Sequence, residues 1–154
     1  MSKRRKHVDE PIQVATDLVE YLIVAAPDPG SLAVVGGGLA ELVRSSAIRI
    51  LDLVVLVKDA EGVVAAIDPQ SVEAICDLPV EVGSMLSAHD LELAALALRP
   101  SSAAVVLVSE DRWARPLSVA AQRAGGQIVA GERIPSARVV SALAGRPGIG
   151  TEGG

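Results

Sequence analysis

The sequence predicts an α+β fold, a ferredoxin-like βαββαβ sandwich extended by a C-terminal helix, strand and helix. Three observations carry that prediction. Apolar residues switch between strand-like and helix-like periods with short connections between them. An acidic turn ending in glycine, Asp59-Ala60-Glu61-Gly62, joins two strand-like runs into a hairpin, whereas the all-parallel sheet of a Rossmann-type fold needs crossovers. Half of the 154 residues are hydrophobic, enough for one core and too few for two ordinary ones.

Residues 18–26, LVEYLIVAA, read as a first strand, ended by Pro27-Asp28-Pro29-Gly30. Leu32, Val35, Leu39, Leu42 and Val43 then recur at helical spacing, with Asp28 or Ser31 as the N-cap. Residues 48–58 and 63–67 are the hairpin strands, and Gly62 supplies the left-handed turn position. Asp68 before Pro69 starts a short helix to Cys76. Ser87 to Asp90 forms a capping-box pattern, S-x-x-D, with Leu91, Ala94, Ala95 and Leu98 on one helix face behind it. Residues 103–108 are uniformly apolar and predict a central strand.

The run SEDRWARP, residues 109–116, reads as a helix start. Ser109 caps it, Glu110 and Asp111 suit the positive end of the dipole, and Asp111 pairs with Arg115 one turn on. Trp113 is the structural anchor of a stripe continued by Leu117, Ala120, Ala121 and Ala124. Pro116 sits too deep for such a helix and predicts a break. Residues 127–133 give a last strand, and Ser136 caps a final helix carrying Val139, Val140 and Leu143. Domain organisation follows: a disordered basic tail over 1–17, one α+β domain over 18–144, and a disordered Gly-rich tail over 145–154.

Charge narrows the partners. Net charge is −5, but Lys3, Arg4, Arg5 and Lys6 all lie in the tail, leaving residues 7–154 with 10 basic against 19 acidic side chains. The domain itself is expected to bind no nucleic acid, while the tail could contact an anion. No apolar run reaches about 18 residues, so no membrane span is expected, and no secretory signal follows the basic start. A lone Cys76 excludes an internal disulfide and a multi-cysteine metal site, and makes a reducing cytoplasm the expected compartment. The core has no Phe and must be filled by Val, Leu, Ile and Ala. With a mean hydropathy of +0.42, that points to a homo-oligomer whose apolar surface a second subunit covers.

No cofactor, metal ligand set or catalytic residue is expected. His89 is the only histidine outside the tail, and helix capping already accounts for its neighbours Ser87 and Asp90. Gly36, Gly37 and Gly38 fit neither G-x-G-x-x-G nor the P-loop spacing and lie inside a helix, where three glycines cost about 2–3 kcal/mol relative to alanine. Close packing on a sheet or second subunit, or a ligand against the backbone, would compensate. Arg49 and Asp52 interrupt the second strand; three positions apart, they are expected on opposite faces. Asp52, between Leu51 and Leu53, needs hydrogen bonds or a cation if buried.

Several segments together carry a family resemblance: LRPSSAA (98–104), Glu110, Trp113, Leu117 and RAGGQIVAGERIP (123–135), with VEYLIVAAP, IRILDLVVLVKD and MLSAHDL before them. Over roughly residues 18–144 the chain resembles a family of small bacterial proteins known only as a domain of unknown function. That family is distantly similar to a second uncharacterised one, described as membrane proteins because of a glycine-rich apolar insertion; residues 78–87 here carry none. The glycine triplet departs from the usual family pattern. The resemblance implies a compact α+β domain and no catalytic residue or cofactor to carry over.

Two functions are expected from this reading. The first is a non-enzymatic, self-associating interaction or regulatory module, in stress physiology. The alternative is a small-molecule-binding regulatory domain with its ligand at a subunit interface, near the glycines or near Arg49. An enzyme using Asp52 or Glu110 is a distant third.

Overall fold

Strand β4 (Ser102–Asp111) organises the fold, because eight consecutive residues of it, Ala103 to Glu110, are buried. A strand without an exposed face needs a neighbour on each edge and cover on each side. The computed structural model supplies both and describes residues 13–131 and 133–146. The expectations for residues 1–12 and 147–154 lie outside the described residues.

Three further strands, β1 (Val19–Ala26), β2 (Ile48–Lys58) and β3 (Val64–Ile67), complete a four-stranded sheet of order β1-β4-β2-β3. Every neighbouring pair is antiparallel. Among the described residues four α-helices accompany it: α1 (Leu32–Arg44), α2 (Ala88–Ala97), α3 (Arg115–Arg123) and α4 (Ser136–Ala144). The α+β class is therefore as expected, but the ferredoxin-like topology is corrected. That fold centres its first and third strands and keeps its helices on one face; here the second and fourth are central, and helices cover both faces.

The cause is the burial of β2 and β4 on both sides. On one face Leu32 and Leu39 of α1 and Val72, Ile75 and Leu78 pack on Ile50, Leu53, Val55, Val105 and Leu107. On the other, Ala94 and Leu98, from α2 and its C-terminal end, pack on Leu56, Ala104 and Val106. One connection, from β3 to β4, thus serves both faces in turn. It passes from one to the other at residues 79–86, beside the N-terminal half of β2.

Local chemistry sets the element ends. Asp28 Oδ1 accepts from Ser31 N at 2.8 Å and fixes the turn Pro29–Ser31 that leads into α1. Gly62, at φ 86°, closes the β2–β3 hairpin, with Asp59 Oδ1 accepting from Glu61 N and Val63 N. The capping box of α2 forms as the S-x-x-D pattern predicts, Ser87 and Asp90 each accepting from the other's N–H. At the opposite end of α2, the Lys58 ammonium donates to Ala95 O and Leu98 O, where a cation complements the helix dipole.

Three predicted elements are corrected. The helix expected after Asp68 is a single 3-10 turn, Pro69–Ser71; it cannot continue because Val72 is extended and Ala74 takes φ 67°. β4 runs on through Asp111, so the helix expected to start at Glu110 starts instead at Arg115, which places Pro116 in its first turn where no N–H is missed. Residues 127–131 and 133 form no strand: no ladder partner faces them, and Val129 is 86% exposed.

The glycine triplet divides by position. A Cβ on Gly36 would lie 2.9 Å from the carbonyl carbon and Cβ of Ala74, whereas Gly37 and Gly38 face open space. Close packing thus explains the first glycine and neither of the others. Gly36→Ala is expected to destabilise the fold by about 1–3 kcal/mol through overpacking against backbone, while Gly37→Ala and Gly38→Ala each stabilise it by up to about 1 kcal/mol. Chemical denaturation of the three single variants checks this contrast.

Candidate functional site

Polar side chains concentrate at the end of the sheet where β4 finishes. Strand parity sorts them. Glu110 falls on the α2 side with Arg49, its register partner on β2; Ser109 and Asp111 fall on the α1 side with Glu20, which faces Ser109 from β1.

On the α2 side, Glu110 is 1% exposed and lies between two guanidiniums, with its Oε1 3.8 Å from both Arg49 Nε and Arg112 Nε. Its other oxygen accepts from Ala15 N. Arg49 also meets Glu81 Oε2 at 2.9 Å and donates to Gln13 O at 3.0 Å. Residues 13–17, assigned from composition to a disordered tail, are thus tied to the sheet, and Asp17 Oδ2 accepts from the buried Ser118 Oγ at 2.8 Å. Arg49 and Glu110 thus hold the segment 13–15 in place, while Glu110 Oε1 makes no hydrogen bond among the described residues.

Asp52 is committed in the same way. Oδ1 accepts from Leu53 N at 2.9 Å; Oδ2 accepts from Met85 N at 2.7 Å and Leu86 N at 2.8 Å. The strand-parity expectation for Arg49 and Asp52 is corrected, because a bulge between Ile50 and Asp52 adds Leu51 to the strand and turns both side chains to the α2 side. The freed carbonyls of Ile50 and Leu51 accept from Glu81 N, Val82 N and Gly83 N. Bulge and carboxylate together hold the connection where it changes faces.

The α1 side differs. Burial, then a hydrogen bond that the protonated Asp111 donates to Glu20 and the charge of Glu20, push the Asp111 carboxyl up to about 7, against a smaller opposing effect of the Ser109 hydroxyl. Two carboxyl groups on adjacent strands so hold a proton that an isolated aspartate would have released three pH units lower. The folded chain binds this proton more tightly than the unfolded chain, so stability falls as pH rises from about 4 to about 7 and is flat beyond, as far as this pair is concerned. Asp111→Asn is expected to remove that slope and raise the thermal midpoint at pH 8 relative to the parent, without gain at pH 4. Thermal melts of both chains across pH 4–8 test it.

Chemically the cluster can hold charge and exchange a proton. Among the described residues no group of three or more His, Cys, Asp or Glu side chains is arranged to hold a metal ion. His89 is exposed in the first turn of α2. Gly36, Gly37 and Gly38 lie on α1, away from the cluster. Trp113 is corrected as an anchor: it is 69% exposed and fills no core volume. Sequence reasoning missed Glu20, Glu81 and the pairing of Ser109 with Asp111; the available signal was the alternation of Ser109-Glu110-Asp111, which continues β4.

The apolar surface is as pronounced as the polar cluster. From Trp113 onward, Leu117, Val129, Ile134, Val139 and Val140 are all exposed, and Ser118 is the only buried residue of α3 and α4. No helix among the described residues is long and apolar enough to cross a membrane. Compared with protein-family models, with curated proteins and with solved structures, the chain matches none.

Proposed function

We propose that the chain is a non-enzymatic, self-associating module of interaction or regulatory type, acting in stress physiology, whose open apolar surface is covered by a further copy. The observation that carries this reading is the set of exposed large apolar side chains between Trp113 and Val140, namely Trp113, Leu117, Val119, Val129, Ile134, Val139 and Val140. Isolated apolar residues on a surface need no explanation, but a continuous set on two helices that bury almost nothing does. The polar side chains support the same reading, since Asp52, Arg49 and Glu110 are spent on backbone amides and on each other. Native mass spectrometry at micromolar concentration is expected to show a dimer or larger assembly; a monomer throughout overturns the proposal.

One feature favours the small-molecule alternative. A shallow, mainly apolar cleft of about 300 Å³ lies beside α1, between Ala40 and Val43 on one side and Ala74 and Leu78 on the other, with Arg44 and Asp77 at the rim. It begins one turn after Gly36. Thermal-shift screening of small apolar acids and amines separates the two readings, because a specific ligand raises the midpoint with the logarithm of its concentration over its Kd.

A further inference from the structure

Charge is divided sharply along this chain. Residues 112–146 carry six arginines against one acid, Glu132, a net of +5, whereas residues 13–111 carry four basic and fifteen acidic side chains, a net of −11. A basic arm is therefore attached to an acidic body. The arm is fastened near its start, by Trp113 N to Ala47 O at 3.0 Å and by Ser118 to Asp17, and α4 beyond it buries no residue.

The body offers a matching edge. Among the described residues β1 pairs with β4 alone, so one side of its eight-residue backbone has no strand neighbour there. VEYLIVAA contains no Pro or Lys, and its register on β4 runs without a bulge, so these devices for blunting a free edge are missing. Its only charge is Glu20, and Tyr21 donates to Asp90 O, which brings the acidic start of α2 beside it. Arg133 already lines a cleft with residues 21–25 of the same chain, and residues 127–131, QIVAG, carry the strand-forming Ile128 and Val129 but no ladder.

Resting on the self-association proposed above, we infer that the arm of one copy lies along the β1 edge of a second, with residues 127–131 added there as a fifth strand. The exchange is reciprocal about a two-fold axis, so each acidic body receives one basic arm. Joining two bodies edge to edge without the arms would instead bring like charges together. Strand addition supplies affinity through the main chain, and the arginines supply orientation.

Cross-linking tests the assignment on the full chain carrying Cys76→Ser. One tagged copy carries Ala25→Cys, an untagged copy carries Val129→Cys, and the mixture is treated with a short bis-maleimide. A tagged–untagged product of twice the monomer mass is expected. The reversal R133E/R138E is expected to weaken the dimer about tenfold, with the thermal midpoint of the separated monomer unchanged. A dimer by native mass that gives no such product overturns the arm while leaving self-association standing. A double variant, A25C/V129C, that closes only within one chain overturns it as well. So does a monomer that sediments with phosphatidylglycerol–phosphatidylcholine vesicles, which would assign the arm to an anionic surface and remove the self-association reading too.

Discussion

Asp52→Ala is expected to lower the unfolding free energy by about 3 kcal/mol, since it strips the acceptor from three amides and leaves them without a partner. The loss concerns a position where the chain has little else to hold it. Residues 79–86 pass from the α1 face to the α2 face, fastened by the carbonyls of Ile50 and Leu51 and by this carboxylate. Asp52→Asn keeps the volume and one oxygen, so about half of the loss is expected. Denaturant titration gives the magnitude. Amide hydrogen exchange locates it: Met85 and Leu86 should lose protection in both variants, well ahead of the β2–β4 ladder. Protection at those two amides equal to that of the parent would show that Asp52 does not hold the crossing.

Glu110→Ala is expected to cost about 3–5 kcal/mol, because it leaves two guanidiniums facing one another around an emptied, buried site. Glu110→Gln retains the shape and an acceptor for Ala15 N but not the charge, and should fall between. Coupling provides the sharper test. Arg49→Met combined with Glu110→Gln removes both signs together, so the double variant should be more stable than the sum of the two single losses predicts. Loss of Glu110 also removes the bond at Ala15 N and loosens residues 13–17, which limited proteolysis should detect as faster cleavage on the N-terminal side of Leu18. Strict additivity in the double variant would show that the carboxylate and Arg49 act separately.

Much of the fold could be read from the sequence where a local rule fixed the structure. The β2–β3 hairpin follows from Asp59 and Gly62, the start of α2 from Ser87 and Asp90, and the central place of β4 from six apolar residues without alternation. The strand order could not be read in the same way. Uniform burial of β2 and β4 demands cover on both faces, yet nothing local states which segment covers which face. The bulge at Leu51 was hidden for a related reason: one additional residue inverts the parity of everything before it, and a strand apolar on both faces conceals the inversion.

The polar cluster was partly legible. Arg49 and Asp52 stood out as charges in an apolar strand, and the physical requirement on a buried carboxylate is met by Asp52. Ser109, Glu110 and Asp111 were misread because their residue types suit a helix N-terminus as well as a strand end. Choosing between them needed knowledge that β1 and β2 continue alongside. Trp113 was misread because a helical stripe shows which residues share a face and not whether that face meets the core.

The pairing of β1 also has a bearing on how the chain is made. Val19 lies opposite Glu110, and among the described residues no other strand bonds to β1. During synthesis, at roughly 5–20 residues per second, a long apolar strand therefore leaves the ribosome several seconds before its partner exists. The α1 helix and the β2–β3 hairpin can form in that interval, but neither offers β1 a ladder. Nascent chains are for that time exposed to chaperones and to each other, and crowding on one messenger would bring unpaired β1 strands together. The arrival of residues 102–111 then closes two of the sheet's three ladders at once.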